Sequence, residues 1–141
     1  MKKILIIDGQ GGRIGSAIID ALRQKLSETG NGAELCAVGT NSIATANMLK
    51  SSPDMAATGE NPVIVGCRDA DYIVGPVGIV IADSLLGEVT PKMAQAVGQS
   101  SAARILIPVN RCNNLVVGVA NTALTSLIRE AVEIIAAGLD N

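Results

Sequence analysis

The chain alternates between short aliphatic runs and longer segments in which apolar residues recur every three or four positions. The first aliphatic run covers residues 4–7 and ends at Asp8 and Gly9. An unbroken run of this length is typical of a strand buried on both faces of a parallel sheet. The segment that follows predicts an amphipathic helix, because its apolar residues share one helical face: Ile14, Ala17, Ile18, Ala21, Leu22 and Leu26.

The same reasoning predicts the remaining elements. Further strands are predicted at residues 35–38, 72–74, 104–108 and 115–119, the last at an edge of the sheet. Helices are predicted at residues 41–50, from Pro62, at 79–86, from Pro91 and at 123–137, whereas residues 55–61 are predicted to form a loop. Strands that alternate with helices predict one α/β domain over residues 1–141. The expected architecture has three layers, αβα, around a doubly wound, mostly parallel, Rossmann-like sheet.

Composition excludes nucleic acid as an expected partner. Hydrophobic residues make up 48% of the 141 residues but aromatic residues only 1%, so few side chains are available to stack on bases. The formal charge of −2 leaves no basic surface for a phosphate backbone.

The chain shows no targeting or membrane signal. The apolar run near the N-terminus is too short for a signal peptide, and no apolar stretch approaches the length of a membrane span. Three cysteines without zinc-ligand spacing fit a reducing compartment. We therefore expect a cytoplasmic protein without a membrane partner or a metal. The mean hydropathy of +0.40 predicts apolar surface covered by self-association, in a homodimer or a larger homo-oligomer.

A glycine loop joins the first strand to the first helix. Its residues are Gly9, Gln10, Gly11, Gly12, Arg13, Ile14 and Gly15. Glycines permit a tight turn and let backbone N–H groups approach a phosphate, and the helix N-terminus adds partial positive charge. Ile14 occupies the sixth position of the standard dinucleotide fingerprint, and no lysine precedes Ser16, which excludes a Walker A loop. The loop predicts a phosphate-bearing nucleotide; the alternative is a tight turn without a ligand.

The end of the second strand bears on which nucleotide would bind. An acidic residue there would hold the ribose diol of NAD, but this chain has Thr40, Asn41 and Ser42. These neutral groups, with Arg13 nearby, could accept a 2′-phosphate, which favours NADP. The alternative for Asn41 and Ser42 is capping of the next helix.

A second glycine-bearing loop follows the strand at residues 72–74 and contains Gly75, Pro76 and Gly78. In doubly wound sheets, ligands bind where the strand order reverses. We expect this loop and the glycine loop to face each other across one crevice. The alternative is a plain strand-to-helix turn.

Catalytic candidates are few. The chain has no histidine, which excludes histidine-based acid–base chemistry, and Tyr72 has no lysine four residues later. Asp8 ends the first strand, where active-site groups collect, although it could instead bind loop N–H groups. Cys112, beside Arg111, is a candidate nucleophile, with an inert thiol as its alternative. Asp83 and Glu88 flank the crevice if residues 79–86 form a helix that begins there.

The chain resembles a small bacterial family of stand-alone Rossmann-like proteins of unassigned function. The resemblance rests on residues 7–12, 39–41, 57–61, 75–79, 86–93 and 107–113. It implies a single Rossmann-like domain and supplies no substrate or catalytic residue. Three functions follow as hypotheses: a nucleotide-binding protein with NADP as the best match, a small oligomeric enzyme acting on a phosphorylated metabolite, and a non-catalytic sensor or assembly subunit.

Overall fold

Five parallel strands and five α-helices alternate along the part of the chain that the structure describes. The computed structural model describes residues 1–109, 113–119 and 121–141. The strands are β1 (Lys2–Asp8), β2 (Ala33–Gly39), β3 (Met55–Thr58), β4 (Tyr72–Pro76) and β5 (Ala103–Ile107). The helices are α1 (Arg13–Thr29), α2 (Ser42–Leu49), α3 (Glu60–Gly66), α4 (Pro91–Gln99) and α5 (Leu124–Leu139).

The sheet has the strand order β3-β2-β1-β4-β5, and every pair in it is parallel. The chain first adds β2 and β3 on one side of β1, and then returns to place β4 and β5 on the other side. The strand order therefore reverses between β1 and β4. This arrangement confirms the three-layer, Rossmann-like α/β fold that the sequence predicts.

The aliphatic run in β1 supplies both faces of the sheet, because successive side chains of a strand point to opposite sides. Ile4 and Ile6 are buried in the core beneath α1 and α5, whereas Leu5 and Ile7 are buried in the core beneath α3 and α4. All four side chains are at most 1% exposed. Full burial on both faces explains why β1 is an unbroken run rather than an alternating pattern.

Three local predictions are wrong. Residues 55–58 form the edge strand β3, which the sequence obscures because its four residues are half-buried or exposed and show no periodicity. Residues 79–86 form no α-helix: a 3₁₀ turn at Val77–Val80 is followed by irregular turns. Residues 115–119 form no strand, and Val117 is 99% exposed. The predicted helix start at Pro62 corresponds to α3, which begins two residues earlier.

The helix boundaries have local chemical causes. The side chain of Asn41 accepts a hydrogen bond from the N–H of Ala44 and caps α2, and the hydroxyl of Thr90 accepts one from the N–H of Met93 and caps α4. Both caps satisfy N–H groups that a helix leaves free in its first turn. Among the described residues, no helix combines the length and the apolar character needed to cross a membrane.

Candidate functional site

A crevice lies at the carboxyl end of the sheet, at the point where the strand order reverses. Its volume is about 330 Å³. The glycine loop forms one wall, and the turn after β4 faces it, as the sequence predicts. The lining residues are Asp8, Gly9, Gln10, Gly11, Gly12, Arg13, Ile14, Pro76, Gly78, Ser84, Leu85 and Val109.

The glycine loop makes a tight turn before α1. The N–H of Gly12 donates to the carbonyl of Gly9 at 2.9 Å. Gln10, between them, has a φ of 50°, a left-handed conformation that costs a residue with a side chain about 1–2 kcal/mol. Within the described part of the chain, the N–H groups of Gly11 and Arg13 donate to no other residue. Two backbone donors are therefore available at the N-terminus of α1.

Packing inside the protein explains two of the loop glycines. Gly12 has a φ of 69°, and a Cβ atom there would lie 2.5 Å from the carbonyl oxygen of Ala44 in α2. A Cβ atom on Gly15 would collide with the sulfur of Met48 and lie 2.9 Å from Cβ of Asp8. Gly11 differs, because its nearest neighbour would be the side chain of Arg13 at 3.8 Å. Of these three glycines, Gly11 is therefore the one beside which open space is left for a ligand.

Asp8 lies beneath the glycine loop and is only 4% exposed. Its two carboxylate oxygens accept hydrogen bonds from the N–H groups of Gly9, at 2.8 Å, and Gly15, at 2.7 Å. Burial raises the pKa of Asp8 above its ordinary value, and the N–H groups that face the carboxylate oppose that shift. Both oxygens are thus engaged in fixing the loop. This geometry matches the structural alternative for Asp8 more closely than the catalytic one.

Glu88 approaches the same loop from the other side. Its Oε1 atom accepts hydrogen bonds from the N–H of Gln10 at 2.9 Å, from Oγ1 of Thr40 at 2.7 Å and from Nδ2 of Asn41 at 2.6 Å. Partial burial would raise the pKa of Glu88, but these three donors outweigh it and hold the pKa below its usual value. The half-buried side chain therefore carries its negative charge at neutral pH.

Thr40 and Asn41, which follow β2, make their hydrogen bonds to other residues of the protein. Thr40 donates to Glu88, and the amide of Asn41 is divided among the Gln10 carbonyl, Glu88 and the N–H of Ala44. Ser42 is the exposed first residue of α2. For Asn41, capping of α2 is confirmed.

The turn after β4 meets the crevice through only part of the predicted set. Pro76 and Gly78 line it, whereas Gly75 packs against the carbonyl of Ile7 in the neighbouring strand. The buried hydroxyl of Ser84 donates to the carbonyl of Gly78, and both residues line this side of the crevice. Sequence reasoning missed Ser84 and Leu85, which lie within the helix predicted at 79–86, and also Val109.

Four other residues that the sequence singles out lie away from the centre of the crevice or outside the described residues. Arg13 is exposed at its rim. Asp83 is exposed and its N–H donates to the carbonyl of Val89 at 2.7 Å. Arg111 and Cys112 lie outside the described residues. The described residues contain no group of three or more His, Cys, Asp or Glu side chains placed to hold a metal ion.

Comparison with known proteins supplies a family and no further relative. The model of a family described as a domain of unknown function, DUF3842, matches residues 3–140. No curated protein and no solved structure matches the chain.

Proposed function

The chain belongs to the DUF3842 family, which brings no assigned activity, and from the geometry of the crevice we propose that it binds a phosphate-bearing nucleotide there. The single observation that carries this proposal is the place of the crevice. It lies at the carboxyl ends of β1 and β4, where the strand order reverses. Open α/β sheets bind their ligands at this position.

The donors at the crevice suit a phosphate group. The N–H groups of Gly11 and Arg13, which have no acceptor among the described residues, lie at the start of α1, a helix of 17 residues, whose dipole adds partial positive charge. Gly11 leaves room for close approach, and the Arg13 side chain is at the rim. These are the contacts that a phosphate makes at the first turn of a nucleotide-binding sheet.

The remainder of the wall suits a nucleoside. Ile14, Pro76, Leu85 and Val109 present apolar surface to the crevice. Ligand sites typically enclose about 300–1,000 Å³, and a volume of about 330 Å³ lies at the lower end. The crevice therefore fits a mononucleotide, or one half of a dinucleotide, better than a whole dinucleotide.

The negative charge of Glu88, near the end of β2, makes NADP a less suitable ligand than a nucleotide without a 2′-phosphate. A 2′-phosphate beside Thr40 and Asn41 would meet the Glu88 carboxylate, whose partners are those same two side chains. The two negative charges would repel each other, and the repulsion is stronger where water is partly excluded. A nucleotide without a phosphate at that position agrees better with the site.

The proposal is tested by thermal unfolding with and without NADP, NAD, ATP, coenzyme A and AMP, followed by calorimetry on any nucleotide that raises the Tm. We expect at least one of them to stabilise the protein. Gly11→Ala should weaken that stabilisation, because its new methyl group occupies the approach to the donors. Gly98→Ala is the matched control, since Gly98 lies in α4 and, apart from its own helix, no described residue lies within 4 Å of an added Cβ. Absence of stabilisation by all five compounds rejects the proposal.

The enzymatic alternative, a reaction on a phosphorylated metabolite, has less geometric support. Both oxygens of Asp8 accept hydrogen bonds from backbone N–H groups, so this carboxylate has a structural role that explains its position without any chemistry. The sensor or assembly hypothesis remains compatible with nucleotide binding, because it requires the ligand and no reaction. Bound nucleotide with no turnover is the expected result for that hypothesis.

A further inference from the structure

We infer that Glu88 binds the ribose of the nucleotide, so that the site selects a free 2′,3′-diol and rejects a 2′-phosphate. This inference rests on the proposed function and adds the class of nucleotide to it. The sequence has no acidic residue directly after β2 to bind a ribose. Glu88, which follows β4 in the chain, lies beside the end of β2 and would take that role.

The first step is the fixed position of the carboxylate. Three donors converge on one oxygen of Glu88: the N–H of Gln10, the hydroxyl of Thr40 and the amide of Asn41, at 2.6–2.9 Å. These donors lie at the ends of β1 and β2. In dinucleotide-binding sheets, the acidic group that binds the ribose hydroxyls occupies the end of the second strand. Thr40 and Asn41 therefore bring Glu88 to the place where a ribose-binding acid belongs.

The second step is the unused oxygen. Within the part of the chain that the structure describes, Oε2 of Glu88 accepts no hydrogen bond. An ionised carboxylate accepts hydrogen bonds and donates none, and the lowered pKa of Glu88 keeps it ionised. Its ligand partner must therefore donate, as a ribose hydroxyl does. A phosphate in place of the hydroxyl removes the donor and adds a repelling charge.

The third step concerns the neighbours of Glu88. A Cβ atom added to Gly9 would lie 3.0 Å from Oε1 of Glu88 and 2.8 Å from the side chain of Leu85. The segment that carries Glu88 thus covers the start of the glycine loop and lies beside the crevice wall formed by Leu85. Glu88 itself does not line the crevice, but its neighbours Gly9, Gln10 and Leu85 do, and the inference therefore places the ribose on this side of the phosphate position.

A competing explanation is that Glu88 is an internal anion that occupies the glycine loop and competes with phosphate. The two explanations differ in what removal of the charge does. A ribose-binding residue changes the preference among sugars, whereas a competing anion weakens every phosphate ligand equally.

The experiment measures the Kd of AMP, 2′-deoxy-AMP and adenosine 2′,5′-bisphosphate by calorimetry at one fixed ionic strength, and repeats the series with the guanosine equivalents. We expect the wild type to bind the ribonucleotide about tenfold or more tightly than the 2′-deoxy form, because a hydrogen bond to a charged group is lost. The 2′-phosphate form should bind more weakly still.

Two variants complete the design. Glu88→Gln should reduce both preferences towards equality while far-UV circular dichroism stays unchanged. Glu130→Gln removes the same charge from the exposed surface of α5 and should leave both preferences intact. Equal binding of the ribo and deoxy forms by the wild type overturns the inference and leaves the proposed function standing. Uniform tightening of all ligands in Glu88→Gln also overturns it, in favour of the competing anion. If no member of either series binds, the proposed function fails for nucleoside monophosphates and the inference fails with it.

Discussion

Gly12 and Ala44 touch backbone to backbone: a Cβ atom on Gly12 would lie 2.5 Å from the Ala44 carbonyl oxygen and 2.8 Å from its Cα. Two amides of the same region reinforce this contact, because Nδ2 of Asn47 donates to the carbonyl of Gly11 and Nδ2 of Asn41 donates to that of Gln10. The glycine loop is thus held against α2 by the protein itself. Its shape is set by contacts within the protein, and such a preformed loop would lower the entropic cost of the proposed binding.

The Gly12–Ala44 contact predicts a large loss of stability in Gly12→Ala. An alanine at a φ of 69° costs about 1–2 kcal/mol, and the forced displacement of α2 costs about 1–3 kcal/mol more. We expect the free energy of unfolding in urea to fall by at least about 2 kcal/mol. Gly98→Ala should instead raise it by about 0.5–1 kcal/mol, because that helical glycine has open space around it. An unchanged urea midpoint for Gly12→Ala would contradict the backbone contact.

Asp8→Asn should destabilise the protein. The carboxylate accepts N–H groups with both oxygens, whereas an asparagine would point its NH₂ group at one of those donors. A buried donor left unpaired costs about 1–3 kcal/mol, so we expect a loss of that size in urea unfolding. Asp20→Asn, on the exposed face of α1, should stay within about 0.5 kcal/mol of the wild type. Equal stability of the two variants would show that Asp8 does not hold the loop.

Because of the partners of Asp54, we expect the free energy of unfolding to decrease in acid. The Asp54 carboxylate accepts a hydrogen bond from the N–H of Leu35 at 2.7 Å and pairs with Arg23 at 3.2 Å, and these partners lower its pKa below 3.8. A lowered pKa contributes stability above the unfolded-state value, and this is lost as the pH falls through the folded-state value.

The corresponding measurement is urea unfolding of Asp54→Asn and the wild type at pH 7 and at pH 3. The variant should be less stable at pH 7 by less than about 1 kcal/mol, since the ion pair is partly exposed. The difference should shrink at pH 3. A difference that is constant with pH would exclude the ionised Asp54 as its source.

The two described cysteines should react slowly. Burial raises the pKa of Cys67 to about 11 and also raises that of Cys36, so at pH 8 roughly one Cys67 thiol in a thousand is ionised. In a Cys112→Ser variant, we expect an aromatic disulfide reagent to label both thiols rapidly only after unfolding. Rapid labelling of the folded variant would contradict this. With that background measured, labelling of the wild type reports on Cys112 alone.

Self-association remains a prediction, and the edge of the sheet suggests where it occurs. β5 is an edge strand, and Leu115 and Val117 nearby in the chain are 80% and 99% exposed. No described strand pairs with the outer edge of β5, and an edge of this kind, together with exposed apolar side chains, favours pairing with the same edge of a second copy about a two-fold axis. Light scattering at micromolar concentration should give at least twice the monomer mass. Val117→Asp should lower that mass and Val65→Asp, in α3, should not. A monomeric wild type would refute the prediction.

The sequence predicts the core of the fold well because burial leaves a clear pattern there. The buried strands β1, β2 and β4 and the partly buried edge strand β5 appear as aliphatic runs, and α1 and α5 each show one apolar stripe. The edge strand β3 could not be predicted in this way, since its four residues are half-buried or exposed and belong to no core pattern. The neighbouring strand β2, rather than local preference, makes these residues extended.

In the candidate site, too, the sequence predicts some residues and fails to place others. Both glycine-bearing loops and their meeting across the crevice follow from strand order, which the alternation of elements predicts. Glu88 is predicted to flank the crevice on the condition that residues 79–86 form a helix, and this helix does not form. Asp83, Leu85, Leu86 and Gly87 all have a positive φ, a conformation that periodicity does not reveal. The contact of Glu88 with Gln10 spans 78 positions and has no local signature.

The position of β1 at the centre of the sheet has a consequence for biosynthesis. β1 pairs with β2 and with β4, so the first strand of this sheet has both its partners only after residue 76 has been made. The Glu88 carboxylate that contacts the glycine loop comes later still, 80 residues after Asp8. At roughly 5–20 residues per second, the ribosome needs about 4–16 s to add them. During that interval the aliphatic strand lacks part of its hydrogen-bonding partners, and an incomplete sheet of this kind is prone to aggregate.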